Sequence, residues 1–443
     1  MNQLICSSWK DFEPFEYILT SLPNELALPF PIPTLTLLSF KEIRLTYMKL
    51  TAETLENVLR SLPKIKGLFS LHLSLICYEI TPNELSRLFC IYLPLFVNLR
   101  QLKWNFSTIA HFSGRNFEEI GLGLKFLNNL DNLVLLFSGR FLIFKPESFY
   151  KLFADFPKSV NSLSLKFLYQ HQVSYDSLLA LCEIIINTNL KNIELYVEKG
   201  LIEIYRAFGF HYKEGSLKSF QASSSIYDKI CLSEENLDVF ETFFKKFQGL
   251  EKFHFFCIFP SDLNQIKLYE ELKYSLSLLQ NLKFLRLEVS RNYIFVVLEA
   301  INKEKCFRNL LSLEIIENPV EWNNQMVLDQ QHIKLLFPLA KQLVSLNLRI
   351  EAKFERFNEA ILAQFKYLTT FSLDESNFHF PTVLEFINQH RKPLVFVAWV
   401  LKNKLRKAGG IFIRNQVLEE ILKLFINRNQ KLSSRLLFFP ISN

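Results

Sequence analysis

Three kinds of residue in this chain could do chemistry, and their spacing decides whether they can act together. Histidine comes first, because imidazole binds metals and carries protons near neutral pH. The eight histidines of the 443 residues are dispersed, and no H-E-x-x-H puts two ring nitrogens on one helix face. His72 and His254 are expected on one face of a repeating structure but about six repeats apart, too far to share an ion. Gly121 and Gly123 come second, as a bare G-x-G. A phosphate cradle needs a third glycine and a strand feeding into it, and neither accompanies this pair. Paired carboxylates come third. Glu118-Glu119 and Glu419-Glu420 fall on helical stretches and read as solvated faces. With no G-x-S-x-G and no phosphate loop, the expectation is a non-enzymatic chain with no catalytic residue, no cofactor and no metal.

Charge offers a different chemistry. Arg391, Lys392, Lys402, Lys404, Arg406, Lys407 and Arg414 lie between Glu385 and Glu419 with no acid among them. The whole chain carries 51 basic and 44 acidic side chains, a formal charge of +7. The excess therefore sits at one end. Such a cluster can hold an acidic protein segment, a nucleic acid or an anionic membrane. The competing reading is a solvated end surface, kept polar so that copies do not stack end to end.

The elements that must position these residues are legible in a recurring pattern. In Leu310–Val320, LLSLEIIENPV, Leu310, Leu313 and Ile315 are spaced L-x-x-L-x-L, with Asn318 three places on. Alternate side chains of a strand point to opposite faces, so Leu313 and Ile315 face a core while Glu314 and Ile316 face away from it. One such unit cannot bury its own apolar face, so it must recur. Centres fall at Ile43, Leu71, Leu102, Leu133, Leu163, Ile193, Phe220, Phe253, Leu285, Leu313, Leu346 and Phe371. Apolar stripes at helical spacing lie between many of them. Thr81-Pro82 opens one, Leu178, Leu181, Cys182 and Ile185 form another, and Leu237, Phe240, Phe244 and Phe247 a third.

With this signature the chain resembles leucine-rich-repeat proteins, nearest the ribonuclease-inhibitor-like class. The resemblance implies an α/β solenoid of about 12 repeats, a horseshoe with parallel strands on the concave face and helices on the convex face. It also implies a habit of binding other proteins. The departure is at the asparagine position, where only Asn318 matches. Serines stand there in Ser107, Ser138, Ser225, Ser290 and Ser376, and other residues in the remaining units. Irregular turns and uneven curvature are expected. LPNELALPF, Leu22–Phe30, also resembles an F-box opening, but Pro23, Pro29, Pro31 and Pro33 break the helices an F-box needs.

The organisation read from the sequence is an N-terminal cap over 1–34, a repeat array over 35–390 and a C-terminal cap over 391–443 that carries the basic cluster. Seven scattered cysteines without C-x-x-C indicate reduced thiols. The start has no signal peptide, and the longest apolar run, Leu394–Leu401, is too short to span a bilayer. Together these point to a soluble, intracellular and cytoplasmic protein.

Binding is then the question. Large apolar or charged side chains on a solvated strand face are candidate anchors for a protein partner. Tyr196, Phe256, Arg286, His254, Leu136 and Ile316 are the candidates, whereas Phe106, Phe137 and Phe167 alternate back into the core. The expected function is a protein-binding scaffold, a fixed subunit of a larger assembly. The alternative is a regulatory adaptor, either a ubiquitin-ligase substrate receptor or a GTPase regulator.

Overall fold

The computed structural model describes residues 42–49, 51–64, 67–77, 80–108, 112–137, 145–168, 173–212, 217–224, 228, 234–257, 273–289, 294, 297–299, 301–302, 307–317, 334–349, 364–365, 367–374, 395–401 and 436–441. The chain divides into two compact units, Met1–Gly200 with His211–Ser216, and Leu201–Phe210 with Leu217–Asn443.

Unit 1 alternates strand and helix: β1 (Glu42–Lys49), α1 (Ala52–Ser61), β2 (Ser70–Cys77), α2 (Pro82–Tyr92), β3 (Gln101–Thr108), α3 (Gly114–Lys125), β4 (Asn132–Phe137), α4 (Pro146–Phe153), β5 (Ser162–Phe167), α5 (Tyr175–Ile186) and β6 (Asn192–Val197). Its six strands pair in parallel, each with the next in the chain. Unit 2 follows the same plan. Most of α6 (Leu201–His211) belongs to it, with β7 (Ser219–Ser224), α7 (Glu234–Lys246), β8 (Lys252–Cys257), β9 (Phe284–Val289), β10 (Ser312–Glu317), α8 (Phe337–Ala340), β11 (Ser345–Arg349), β12 (Thr370–Asp374), β13 (Val395–Leu401) and β14 (Leu436–Ile441). Its eight strands also pair in parallel and in chain order.

All twelve apolar centres read from the sequence fall on strands, and within each unit they are register partners. Leu71 pairs with Leu102, Leu102 with Leu133 and Leu133 with Leu163. In unit 2 Phe253 pairs with Leu285, Leu285 with Leu313 and Leu313 with Leu346. A one-residue slip would turn every apolar side chain to the wrong face, so burial of Leu71, Leu102, Leu133, Phe253 and Leu313 fixes the register.

Backbone bonding repeats as regularly. Ahead of β2 to β5 and β7 to β10, one carbonyl accepts from two successive amides of the next repeat. Arg100 O takes Asp131 N and Asn132 N, Asp131 O takes Asn161 N and Ser162 N, and Lys283 O takes Leu311 N and Ser312 N. Side-chain amides reinforce the same turn. Asn129 donates to Val97 O at 2.7 Å, Asn281 to Gln248 O at 3.0 Å, Asn309 to Gln280 O at 3.2 Å and Gln342 to Phe307 O at 2.9 Å. Among the described residues these side-chain amide bonds lie before the strand, and after β5 the Leu168 amide donates to Phe137 O at 2.9 Å. Asn318, the one match at the asparagine position, lies outside the described residues.

Helix α2 starts where the sequence places it. Thr81 caps α2 with Pro82 at the first position, and Glu84 returns a bond to the Thr81 amide, completing a capping box. Ser113 with Asn116 does the same for α3. The glycine pair has a packing role. A Cβ on Gly121 would lie 2.7 Å from the carbonyl oxygens of Lys151 and Leu152 on α4, and one on Gly123 would lie 2.8 Å from Phe89 O on α2. Helix α3 is wedged between its neighbours, and only glycine fits on both sides.

The core of unit 1 contains Trp104, Phe137 and Phe167 as the alternation requires; Phe137 and Phe167 stack at 5.4 Å. In unit 2 Tyr205, Phe220, Phe243, Phe247, Phe253 and Phe255 form one ring cluster with centroid distances down to 4.5 Å. This cluster accommodates part of the unusual phenylalanine content. Phe307 is the one non-glycine residue among those described with positive φ, +62°, and is fully buried. Such a backbone costs roughly 1–3 kcal/mol, which burial of its ring offsets.

The stretch read as the N-terminal cap lies outside the described residues; Phe106 lies on β3 as the register partner of Phe137. Within 391–443, β13 and β14 are described and extend the parallel pairing from β12. All seven residues of the basic cluster, Arg391, Lys392, Lys402, Lys404, Arg406, Lys407 and Arg414, lie outside them.

Candidate interaction surface

The strand face turned away from the core collects the candidate residues into two groups, one in each unit. In unit 1, Leu136 on β4 is the register partner of Lys166 on β5, which partners Tyr196 on β6. All three are half-buried. Beside them Glu194 accepts a hydrogen bond from Ser164 Oγ at 2.8 Å and pairs with Lys166 Nζ at 2.5 Å. Burial, and then the negative charge of Glu198, push the Tyr196 phenol above its ordinary pKa, so it remains a neutral donor. Lys103, on the neighbouring strand to Val134, is exposed.

In unit 2 two register rows run side by side. The first joins Gln221, His254, Arg286, Glu314, Asn347 and Ser372 from β7 to β12. The second joins Phe256, Glu288, Ile316 and Arg349. Charged groups bridge them. Arg286 pairs with Glu288 within its own strand and reaches Glu314 Oε2 with Nη1 at 3.7 Å. Asn347 Nδ2 donates to Glu314 Oε1 at 2.8 Å. His254 Nε2 stands 3.8 Å from Glu288 Oε1, beyond hydrogen-bond range.

Two of the candidates differ from expectation. Phe256 and His254 are each only 4% exposed, although they were expected on a solvated face. Phe253 and Phe255, which alternate with them, are buried as well. Strand β8 is therefore covered on both faces, and Phe256 contributes as packed apolar volume. Periodicity assigns a side chain to a face but says nothing of what lies over that face. Ile316 and Arg286 are part-exposed, as are Leu136 and Tyr196.

Glu288 was missed by the sequence reasoning, which looked for large apolar residues at its position. The signal available was its place between Phe256 and Ile316 in the same row. Among the described residues no group of three His, Cys, Asp or Glu side chains could hold a metal ion, and no helix is long and apolar enough to cross a membrane. Cys90 and Cys182 are free thiols, the second buried. No protein-family model matches the chain, and no characterised protein matches its sequence.

Proposed function

We propose that this chain is a leucine-rich-repeat protein of the ribonuclease-inhibitor-like class, in the horseshoe arrangement of that class. We further propose that it is a non-enzymatic, cytoplasmic scaffold that docks other proteins on its strand face. The observation that carries the reading is the row Arg286–Glu314–Asn347, three consecutive strands whose polar side chains are held in register and tied through Glu314, with Glu288 holding Arg286. Successive strands stand about 4.8 Å apart, so the row is a fixed ruler of donors and acceptors. Charges locked in such geometry select a partner more than they tighten its binding. Half-buried Ile316, with Leu136 and Tyr196 in unit 1, supplies apolar anchors of the kind protein interfaces use. The basic cluster over 391–414 offers a second contact, for an acidic protein segment or a nucleic acid.

The test is purification of the tagged protein from native extract at low and high salt, with partners identified and quantified. The scaffold reading expects a stoichiometric, salt-resistant set of structural proteins, depleted by Arg286→Glu in a chain whose circular dichroism is unchanged. Recovery of ligase subunits or a GTPase overturns it in favour of a regulatory adaptor. Partners that leave with salt together with nucleic acid transfer the function to the basic cluster.

A further inference from the structure

The helices of unit 1 each present a stripe of side chains away from the strands. On α1 the exposed residues are Glu53, Asn57 and Arg60, and on α5 they include Asp176 and Glu183. Two of the three helices between, α2 and α3, behave differently. Their stripes begin with charge, Arg87 on α2 and Glu118 on α3, and end apolar, with Ile91 and Leu122 followed one turn later by Leu95 and Phe126. Val97 joins them. These five side chains are between 43% and 61% exposed.

They form one patch. Glycine at 123, the neighbour of Leu122, lets α3 approach α2 so closely that a Cβ there would lie 2.8 Å from Phe89 O and 3.3 Å from the Cα of Cys90, the neighbour of Ile91. The Asn129 amide bond to Val97 O ties the turn after α2 to the turn after α3. Around the patch stand paired charges, Arg60 with Glu56, Lys125 with Asp155 and Lys151 with Glu118.

We propose that this patch is a self-association surface, and that its occupant is a second copy of the chain. Five half-exposed side chains of this size leave on the order of 500 Å² of apolar surface, near the upper end of what a lone chain displays. A standard interface takes about 800 Å² from each partner, and homodimer interfaces are about 65% apolar, which again is about 500 Å². An apolar centre with a rim of satisfied ion pairs can meet its own copy about a two-fold axis, patch on patch, without burying a lone charge. The surface lies on the helices and is independent of the strand-face reading.

Sedimentation velocity on the full chain, from about 1 to about 100 μM, tests it. The expected result is a concentration-dependent monomer–dimer equilibrium. Leu122→Glu combined with Phe126→Glu should raise the dimer Kd by at least about 100-fold, since each copy would bury two unpaired carboxylates. Ile91→Lys with Val97→Lys should do the same from the other side of the patch. All four positions are exposed, and an unchanged thermal melt separates lost association from lost folding. A monomer throughout the range overturns the proposal, and so does a dimer that both double variants leave intact.

Discussion

Gly121→Ala is the sharpest test of how the helices of unit 1 are held. In an ordinary exposed helix the change stabilises, because alanine loses about 1 kcal/mol less than glycine on becoming helical. Here the new Cβ would stand 2.7 Å from two carbonyl oxygens of α4, against 3.4–4 Å for ordinary contact. Those oxygens belong to backbone, so α4 must move by about 0.7 Å and its packing on α5 must follow. Overpacking of this kind costs roughly 1–3 kcal/mol, and a backbone clash on both oxygens belongs at the upper end. Subtracting the helix gain leaves a net loss of about 2 kcal/mol. Gly114→Ala is the internal control, since its Cβ would meet only the flexible end of Lys151 at 3.4 Å, and it should change stability by under about 0.5 kcal/mol. Urea unfolding followed by far-ultraviolet circular dichroism reads both. If Gly121→Ala proves as stable as the parent chain, α3 is not wedged between its neighbours and the account of the G-x-G pair is wrong.

Further outcomes follow from the packing and the charges. Phe256→Ala should cost about 3–5 kcal/mol in the same assay, as for a large core side chain; a shift under about 1 kcal/mol would return Phe256 to the list of surface anchors. Thr81→Ala removes one half of the α2 capping box and should cost about 1 kcal/mol, with Thr81→Ser restoring most of it. Glu251 bridges Lys283 and Lys218, which hold its carboxyl at about 2, well below the usual carboxylate range. Its folded pKa lies below its unfolded one, so its contribution is complete above about pH 4.5 and fades as pH falls towards 2. Glu251→Gln should therefore lose stability relative to the parent at pH 6 but draw level near pH 2, and 1 M salt should shrink the difference at pH 6.

The sequence by itself determined the strands and their register. Period-two alternation around twelve apolar centres leaves no freedom once one face must be buried, which is why Leu102, Leu133 and Leu163 lie side by side. It also determined the helix starts, because Thr81 and Ser113 act on amides three residues away. Local chemistry is readable locally. What joins the repeats was less legible. The amide ladder of Asn129, Asn281, Asn309 and Gln342 precedes the L-x-x-L-x-L run, and each member reaches a carbonyl about 30 residues away, a distance that only folding closes. Gly121 and Gly123 look like a broken phosphate loop until their neighbours are known. Phe256 and His254 sit on the outward face by periodicity, yet the tertiary structure covers them. The charge of Arg286 is legible in the sequence, while the carboxylates that hold it come from its own strand and the next. A side chain's face is set by its neighbours in sequence, but its exposure and its partners are set by atoms a whole repeat away.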